Sequence, residues 1–356
     1  MPLDRELMKR ELQMTMSMRS TSRSSVVARV DQTVKNTTRP RNDLLSRRSL
    51  GIALGLLWLL DGVLQMQTFM FTKGFADSIV APSAHGQPFF VAAPVEWNAR
   101  LIAAHPVLLN GCFAAIQVGL GLCFLFRHTV RVAVVSSIVW AGGVWYLGEG
   151  LGGVAGGHAT ALIGAPGAAL LYIVLAMAAW PERVASGDNG RHWQRPPDWL
   201  LRAWALLWIG FAVLDVLPPN VSARAVSTQL TANASMAPWW LAGADHWFAT
   251  WVHAAGCMGV VAMAALEIAI GVVALNHQVR IRRVGLSVGI GIAGIYWAIG
   301  QSFGQLFSGQ ATDPNTGPLL IVFGMAAMGA TIHSSTSRAR ATYIARPLPR
   351  VDQLAA

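Results

Sequence analysis

Four acidic residues lie within, or at the ends of, long apolar runs of this chain: Asp61, Glu149, Asp215 and Glu267. A carboxylate at the centre of a bilayer costs roughly 2.5–3.5 kcal/mol, so each of these side chains is expected to face protein or a water-filled cavity. No lysine or arginine lies near them in the sequence. They must therefore be protonated, hydrogen-bonded to neutral groups, or exposed to water or a cation. Three roles fit this pattern: hydrogen bonding between helices, a path for a solute, proton or cation, and a catalytic acid.

An internal repeat relates these acids to amides. A shift of 150 residues superposes LLWLLDGVLQ on LLWIGFAVLD, and a shift of 152 places Trp145–Pro166 on Trp297–Pro318 with seven identities. Three acids then align with glutamines: Asp215 with Gln65, Glu267 with Gln117, and Glu149 with Gln301. Both halves are thus predicted to need an inward-facing carbonyl oxygen at these positions, whereas only one half needs an ionisable group. We call these six residues, together with Asp61, the predicted polar seam; Asp61 aligns with Phe211.

The composition is typical of a membrane protein and predicts an all-α fold. Hydrophobic residues make up 54% of the chain and charged residues 12%, whereas soluble domains carry about 25% charged residues. A helix needs about 20 apolar residues to span a bilayer. Eight runs are read as spans: 50–70, 101–126, 130–147, 159–180, 200–217, 251–275, 284–301 and 317–333. We therefore predict a polytopic bundle of eight transmembrane helices, arranged as two parallel four-helix repeats.

The basic residues predict the orientation of this bundle. The net charge is +10, and Arg and Lys concentrate near both ends of the chain and in alternate connecting segments. This positive-inside pattern indicates a multi-pass protein of the plasma (inner) membrane with both termini cytoplasmic. The predicted organisation is a disordered basic tail at 1–49, a first repeat at 50–180, a cytoplasmic linker at 181–199, a second repeat at 200–333, and a basic tail at 334–356. The lipid bilayer is the expected partner, together with a possible protein of a membrane complex, and nucleic acid is not.

The sequence lacks the usual signatures of catalysis. Walker, kinase, hydrolase and zinc motifs are missing, and Cys112, Cys123 and Cys257 form no CxxC pair. The histidines predicted on the outer side show no metal-ligand spacing. We therefore predict no catalytic residue, no metal and no cofactor, although a bound quinone or haem stays open.

One stretch resembles a known family. Glu267 and Gly271 in LEIAIGVVALNHQVRIRR, followed by its basic loop, resemble the Glu, Gly and Arg pattern after the second helix of the DoxX-like family of small bacterial membrane proteins. Lys73 and Gly74 resemble the end of that family's first helix, but the first half carries Gln117 where the family has Glu. The resemblance implies a four-helix unit, here duplicated, and a membrane subunit of a quinone-linked or thiol-stress redox system.

Three functions follow as hypotheses from these observations. The polar seam favours a path for a small solute or a proton. The DoxX-like resemblance favours a redox or quinone-associated subunit. The missing motifs favour a structural or assembly partner in a membrane complex.

Overall fold

A computed structural model describes residues 46–157, 159–181, 196–218, 220–235 and 237–344, with side chains through residue 331. Among these residues every regular element is a helix or a helical turn. The predicted N-terminal tail up to residue 45, most of the linker (182–195) and the end of the C-terminal tail (345–356) lie outside the described residues.

Ten α-helices of 11 residues or more follow one another along the described chain. They are α1 Arg47–Leu64, α2 Phe89–Ala104, α3 Pro106–Leu125, α4 Val130–Leu147, α5 Ala168–Ala178, α6 Trp199–Val216, α7 Ala223–Ala234, α8 Trp239–Ala274, α9 Val279–Ile295 and α10 Thr316–Ile344. Short helical turns join α1 to α2: Thr68–Phe71, Lys73–Phe75, Ala76–Val80 and Ala81–Ala84. Two glycine-rich segments connect α4 to α5 and α9 to α10; we call them the first corner (148–167) and the second corner (300–317).

Five of these helical stretches are long and apolar enough to cross a membrane. They are Pro106–Leu125, Val130–Leu147, Trp199–Val216, Trp239–Ala274 and Val279–Gly300, and shorter apolar helices lie at Ala168–Ala178 and Thr316–Thr331. The helices therefore fit an integral membrane protein. The α1 helix has 18 residues, including Arg47, Arg48 and Asp61.

The fourth predicted span, 159–180, is wrong in its first half. Residues 159–167 form a short turn and loop, and α5 has only 11 residues, which gives a length of about 16 Å. Gly164 and Gly167 have φ values of +110° and +97°, and Pro166 between them has no backbone N–H to donate. A helix cannot continue through this stretch, so α5 begins only at Ala168.

Other boundaries also differ from the sequence interpretation. The predicted run 101–126 is interrupted at His105, where φ is −135° and ψ is 53°, because the residue before a proline avoids helical geometry. The run 251–275 begins twelve residues earlier, at Trp239, and bends at Gly256, where φ is +62° and ψ is −155°. The last helix continues past residue 333 to Ile344, so the predicted C-terminal tail begins as helix.

The core is formed where pairs of helices approach closely through small residues. An added Cβ on Gly121 of α3 would lie 2.8 Å from the Gly55 carbonyl oxygen of α1. A Cβ on Gly271 of α8 would lie 2.9 Å from the Ala205 carbonyl oxygen of α6. Such close backbone contact is how small residues hold membrane helices together. The two helix pairs keep the acids of α1 and α8 inside the bundle.

Candidate functional site

Asp61 is held at a fixed position in the interior of the first half (50–180). Its side chain is 1% exposed, and the Tyr172 hydroxyl of α5 donates a hydrogen bond of 2.6 Å to its Oδ2 atom. Trp58, one turn earlier in α1, stacks on the Tyr172 ring with centroids 4.1 Å apart, and its Nε1 donates to the Ser137 hydroxyl of α4 at 3.0 Å. The other carboxylate oxygen of Asp61, Oδ1, has no hydrogen-bond partner among the described residues. Asp61 is thus oriented by one donor and keeps one oxygen available.

Asp61, Trp58 and Tyr172 line a cavity of about 330 Å³, which we call the inner cavity. Its walls come from α1 to α5 and from the turns that join α1 to α2, and the second corner supplies Thr312 and Asp313. Four residues of the predicted polar seam line it: Asp61, Gln65, Gln117 and Glu149. Five aromatic side chains line it as well: Trp58, Phe75, Phe113, Trp140 and Tyr172. The sequence pattern did not single out Tyr172, because a lone tyrosine in an apolar helix carries no spacing signal.

Gln65 and Gln117 are buried beside Asp61. They are 4% and 6% exposed, and the side-chain oxygen of each lacks a hydrogen-bond partner among the described residues. The Asn110 amide of α3 donates to the Gln65 backbone carbonyl at 2.8 Å, which ties the end of α1 to α3. Rotation of either glutamine amide would present a donor or an acceptor to an occupant of the inner cavity.

Glu149 lies in the first corner, immediately after α4. Its Oε1 accepts a hydrogen bond of 3.1 Å from the Ala169 backbone N–H at the start of α5. Burial, followed by the charge of Asp313, raises the pKa of Glu149 to about 8. The carboxylate of Asp313 accepts bonds of 2.7 Å from the Thr312 hydroxyl and the Asn315 backbone N–H, and burial raises its pKa as well. Asp313 is not a member of the predicted polar seam.

A second cavity adjoins the inner cavity at these two acids. It has a volume of about 460 Å³ and is lined mainly by the first corner and the loop before α2; we call it the vestibule. The two cavities share four lining residues: Ser83, Glu149, Ala168 and Asp313. The accessible part of Glu149 therefore faces a junction between a wide outer space and the inner cavity.

Two acids of the second half (200–333), Asp215 and Glu267, form a separate cluster outside the inner cavity. Glu267 is fully buried and its Oε1 accepts a hydrogen bond of 2.9 Å from the Tyr296 hydroxyl. Asp215 is 2% exposed and close enough to Glu267 to interact electrostatically. Phe211 aligns with Asp61 in the repeat and is 1% exposed, packed edge-to-face on Trp208. A buried aromatic ring thus stands at the aligned position, where the first half has a carboxylate.

Gln301, which aligns with Glu149, makes the same kind of hydrogen bond to the start of the helix that follows its corner. Its Oε1 accepts from the Gly317 backbone N–H at 3.1 Å, as the Glu149 carboxylate does from the start of α5. Its Nε2 donates to the Thr316 hydroxyl at 2.9 Å and to the Ala161 carbonyl at 3.3 Å. The seventh seam residue therefore bonds both corners and does not line the inner cavity.

Both corners contain four consecutive residues in the left-handed region. In the first corner φ is +54° at Gly150, +56° at Leu151, +63° at Gly152 and +75° at Gly153; in the second it is +46° at Ser302, +54° at Phe303, +65° at Gly304 and +55° at Gln305. Non-glycine residues pay about 1–2 kcal/mol each for this geometry, so three such residues in the second corner must be stabilised by surrounding contacts. Strain of this kind collects at functional sites.

Equivalent contacts hold the corners. The Trp145 indole donates to the Pro166 carbonyl, and the Trp297 indole donates to the Pro314 carbonyl, both at 2.8 Å. The alignment without gaps had matched Pro166 with Pro318, so the match by contact falls four residues earlier. The second corner is shorter after its left-handed turn, and a fixed shift could not detect this.

Two amides connect the halves in a reciprocal way that the sequence did not reveal. Gln67 donates to the Ala311 carbonyl of the second corner at 3.1 Å. Asn220 donates to the Ala159 carbonyl of the first corner at 2.9 Å. Each half therefore contributes side-chain donors to the corner of the other, and Gln301 adds a second one from the second half.

Comparisons with known proteins add no relative. No protein-family model, curated protein or solved structure matches this chain. Within the described residues, no group of three or more His, Cys, Asp and Glu side chains is placed to hold a metal ion. The two cavities and their lining are therefore the features of this protein that bear on its function.

Proposed function

We propose that this chain is an integral membrane protein that admits a small solute or a proton through the vestibule into the inner cavity. The observation that carries the proposal is the position of the acids. Glu149 and Asp313 lie where the two cavities adjoin, and Asp61 lies deeper, with one oxygen that has no hydrogen-bond partner in the part of the chain that the structure describes. Ionisable residues inside a membrane bundle commonly mark the pathway of an ion or substrate.

The architecture that we infer is two parallel four-helix repeats, in which the fourth segment of the first repeat is the short helix α5 together with the apolar loop before it. Matched left-handed turns, matched Trp–Pro contacts and the reciprocal Gln67 and Asn220 bonds support it. With both termini on the cytoplasmic side of the plasma membrane, both corners and the vestibule would face outward. A solute would then enter from outside the cell.

A quinone-linked subunit, which the DoxX-like resemblance implies, is the second candidate. The aromatic walls of the inner cavity favour it, because a flat quinone ring could stack against Trp58 or Trp140. Quinone absorbance in protein purified in mild detergent would select this candidate.

Cysteine accessibility tests the path without knowledge of the solute. In a background lacking Cys112, Cys123 and Cys257, single cysteines would be placed at Ser83, at the junction, and at Gly143, in the inner cavity. Gly142→Cys is the matched control, because Gly142 is the preceding residue of α4 and does not line the inner cavity. Membrane-impermeant thiosulfonates, one cationic and one anionic, would be applied from the corner side.

We expect labelling of Ser83→Cys and Gly143→Cys by at least one of the two reagents, and none of Gly142→Cys. Labelling of Ser83→Cys alone would mean that the inner cavity is closed to the vestibule, and the proposed path would be wrong.

For the transport step, proton influx into liposomes driven by a potassium diffusion potential should be lost in Asp61→Asn but kept in Glu267→Gln. Glu267→Gln makes the same chemical change in the separate cluster, where the tyrosine can still donate to the amide oxygen.

A further inference from the structure

The inner cavity is lined by acidic side chains and, among the described residues, by no basic ones. Asp61, Glu149 and Asp313 contribute three carboxyl groups, and none of the described residues that line this cavity is Lys, Arg or His. An occupant with a negative charge would find no cationic side chain to pair with among these lining residues. An occupant with a positive charge would find partners at both ends of the inner cavity.

The walls between these acids are aromatic. Trp58 and Tyr172 are stacked, with centroids 4.1 Å apart, and Phe113 and Trp140 form a tilted pair with centroids 5.4 Å apart. The faces of Trp, Tyr and Phe rings attract cations, by about 0.5–2 kcal/mol depending on desolvation. Rings can replace the hydration shell of an alkylated ammonium group, but they supply no oxygen ligands to a metal ion such as Mg²⁺ or Ca²⁺.

The buried polar atoms also need an occupant. Asp61 and Gln117 are 1% and 6% exposed, and Oδ1 of the first and Oε1 of the second lack partners among the described residues. Buried polar groups without a hydrogen bond are costly. The volume of about 330 Å³ lies near the lower end of the range for small-molecule sites, about 300–1,000 Å³.

We propose that the inner cavity is a binding site for a small organic cation, an amine or quaternary ammonium compound with apolar substituents. This inference rests on the proposed function and specifies its solute. In the bound state the charged nitrogen lies near Asp61 and between the aromatic pairs, and the apolar substituents contact Phe75 and Val144. In the second half the residue that aligns with Asp61 is Phe211, which is 1% exposed and packs on Trp208, so that half has no carboxylate at the matching position.

The test is equilibrium binding to the purified full-length protein in detergent, measured by calorimetry. The probes are benzyltrimethylammonium, its uncharged isostere neopentylbenzene, and the anion benzenesulfonate as a competitor. We expect benzyltrimethylammonium to bind more tightly than neopentylbenzene, and benzenesulfonate not to compete. Asp61→Asn should weaken cation binding about 100-fold, the effect of one charge pair about 6 Å apart at an effective dielectric constant of about 20. Glu267→Gln, the matched control, should bind as the wild type does.

Phe113→Leu provides a second variant should Asp61→Asn fail to fold. It should weaken benzyltrimethylammonium binding about 3- to 30-fold, as expected for a lost cation–π contact, and change neopentylbenzene binding less. Equal affinity for the cation and its uncharged isostere, or competition by the anion, would overturn the inference. If the cysteine labelling succeeds and no cation binds, the path stands and the identity of its solute is wrong; if the labelling fails, the path itself is wrong.

Discussion

Replacing Gly143 by leucine fills the inner cavity from its wall. Gly143 lies in α4, lines this cavity, and would carry a Cβ with no heavy atom within 4 Å. Gly142 beside it is equally open, with nothing within 4 Å of an added Cβ, but does not line the inner cavity. The pair Gly143→Leu and Gly142→Leu therefore makes the same chemical change in the same helix, and only one of the two reduces the cavity volume.

The expected magnitudes are alike for stability and differ for binding. Glycine is about 1 kcal/mol less favourable than alanine in a helix interior, and leucine is close to alanine, so both substitutions gain roughly 0.8 kcal/mol from helix propensity. A leucine that faces lipid is in apolar surroundings just as a buried leucine is, so burial adds little to the difference in stability between the two variants. Only the side chain at position 143 enters the inner cavity, so only Gly143→Leu should lose solute binding.

Two measurements on the purified variants check this reasoning. Thermal unfolding followed by tryptophan fluorescence reports stability, and calorimetric titration with benzyltrimethylammonium reports occupancy of the inner cavity. A Gly143→Leu protein that gains stability and loses binding, beside a Gly142→Leu protein that binds normally, is the expected pair of results. Undiminished binding to a folded Gly143→Leu protein would refute the assignment of the site to this cavity.

Three further predictions concern the corners. Burial and the charge of Asp313 raise the pKa of Glu149 to about 8, so Glu149 loses its proton as pH rises through that value. The affinity of the inner cavity for a permanently charged cation should therefore rise from about pH 7 to about pH 9. Titrations of Glu149→Gln across this range should show no such rise, although Asp61 lines the same cavity. Gly152→Ala should abolish the folded yield seen by size-exclusion chromatography, because its Cβ would lie 1.9 Å from a carbonyl oxygen at a φ of +63°, whereas Gly111→Ala, with open space around its Cβ, should behave as wild type. Trp145→Phe and Trp297→Phe each remove one hydrogen bond of 2.8 Å, so each should cost about 1 kcal/mol in denaturant titrations; clearly unequal losses would argue against equivalent corners.

The sequence predicted helices and buried acids well because both leave local signals. Long apolar runs favour membrane helices through a local signal, and an acid within such a run must be protected from lipid. Asp61 and Glu267 are accordingly 1% and 0% exposed. The predicted end of α5 was also close, whereas its start was hidden, because an apolar loop with Gly164 and Gly167 at positive φ has the same hydropathy as a helix.

The site itself could not be assembled from the sequence, because it depends on contacts between distant elements. Tyr172 reaches Asp61 across 111 positions of the chain, and Asp313 joins a cavity built by the other half. The repeat placed the aligned acids of both halves, Glu149 in the first and Asp215 and Glu267 in the second, in one predicted polar seam. Only the folded structure shows that Asp215 and Glu267 lie outside the inner cavity, because the alignment alone does not separate them from Gln65 and Gln117.

Thr312 and Asp313 make the junction between the two cavities a structure built by both halves of the chain. They belong to the second corner, yet they complete the lining of a cavity whose other walls come from the first half. A small displacement of one half relative to the other would therefore widen or narrow the entrance while the aromatic walls keep their shape. No dedicated lid is required for such a protein to alternate between a state that accepts its occupant and one that retains it.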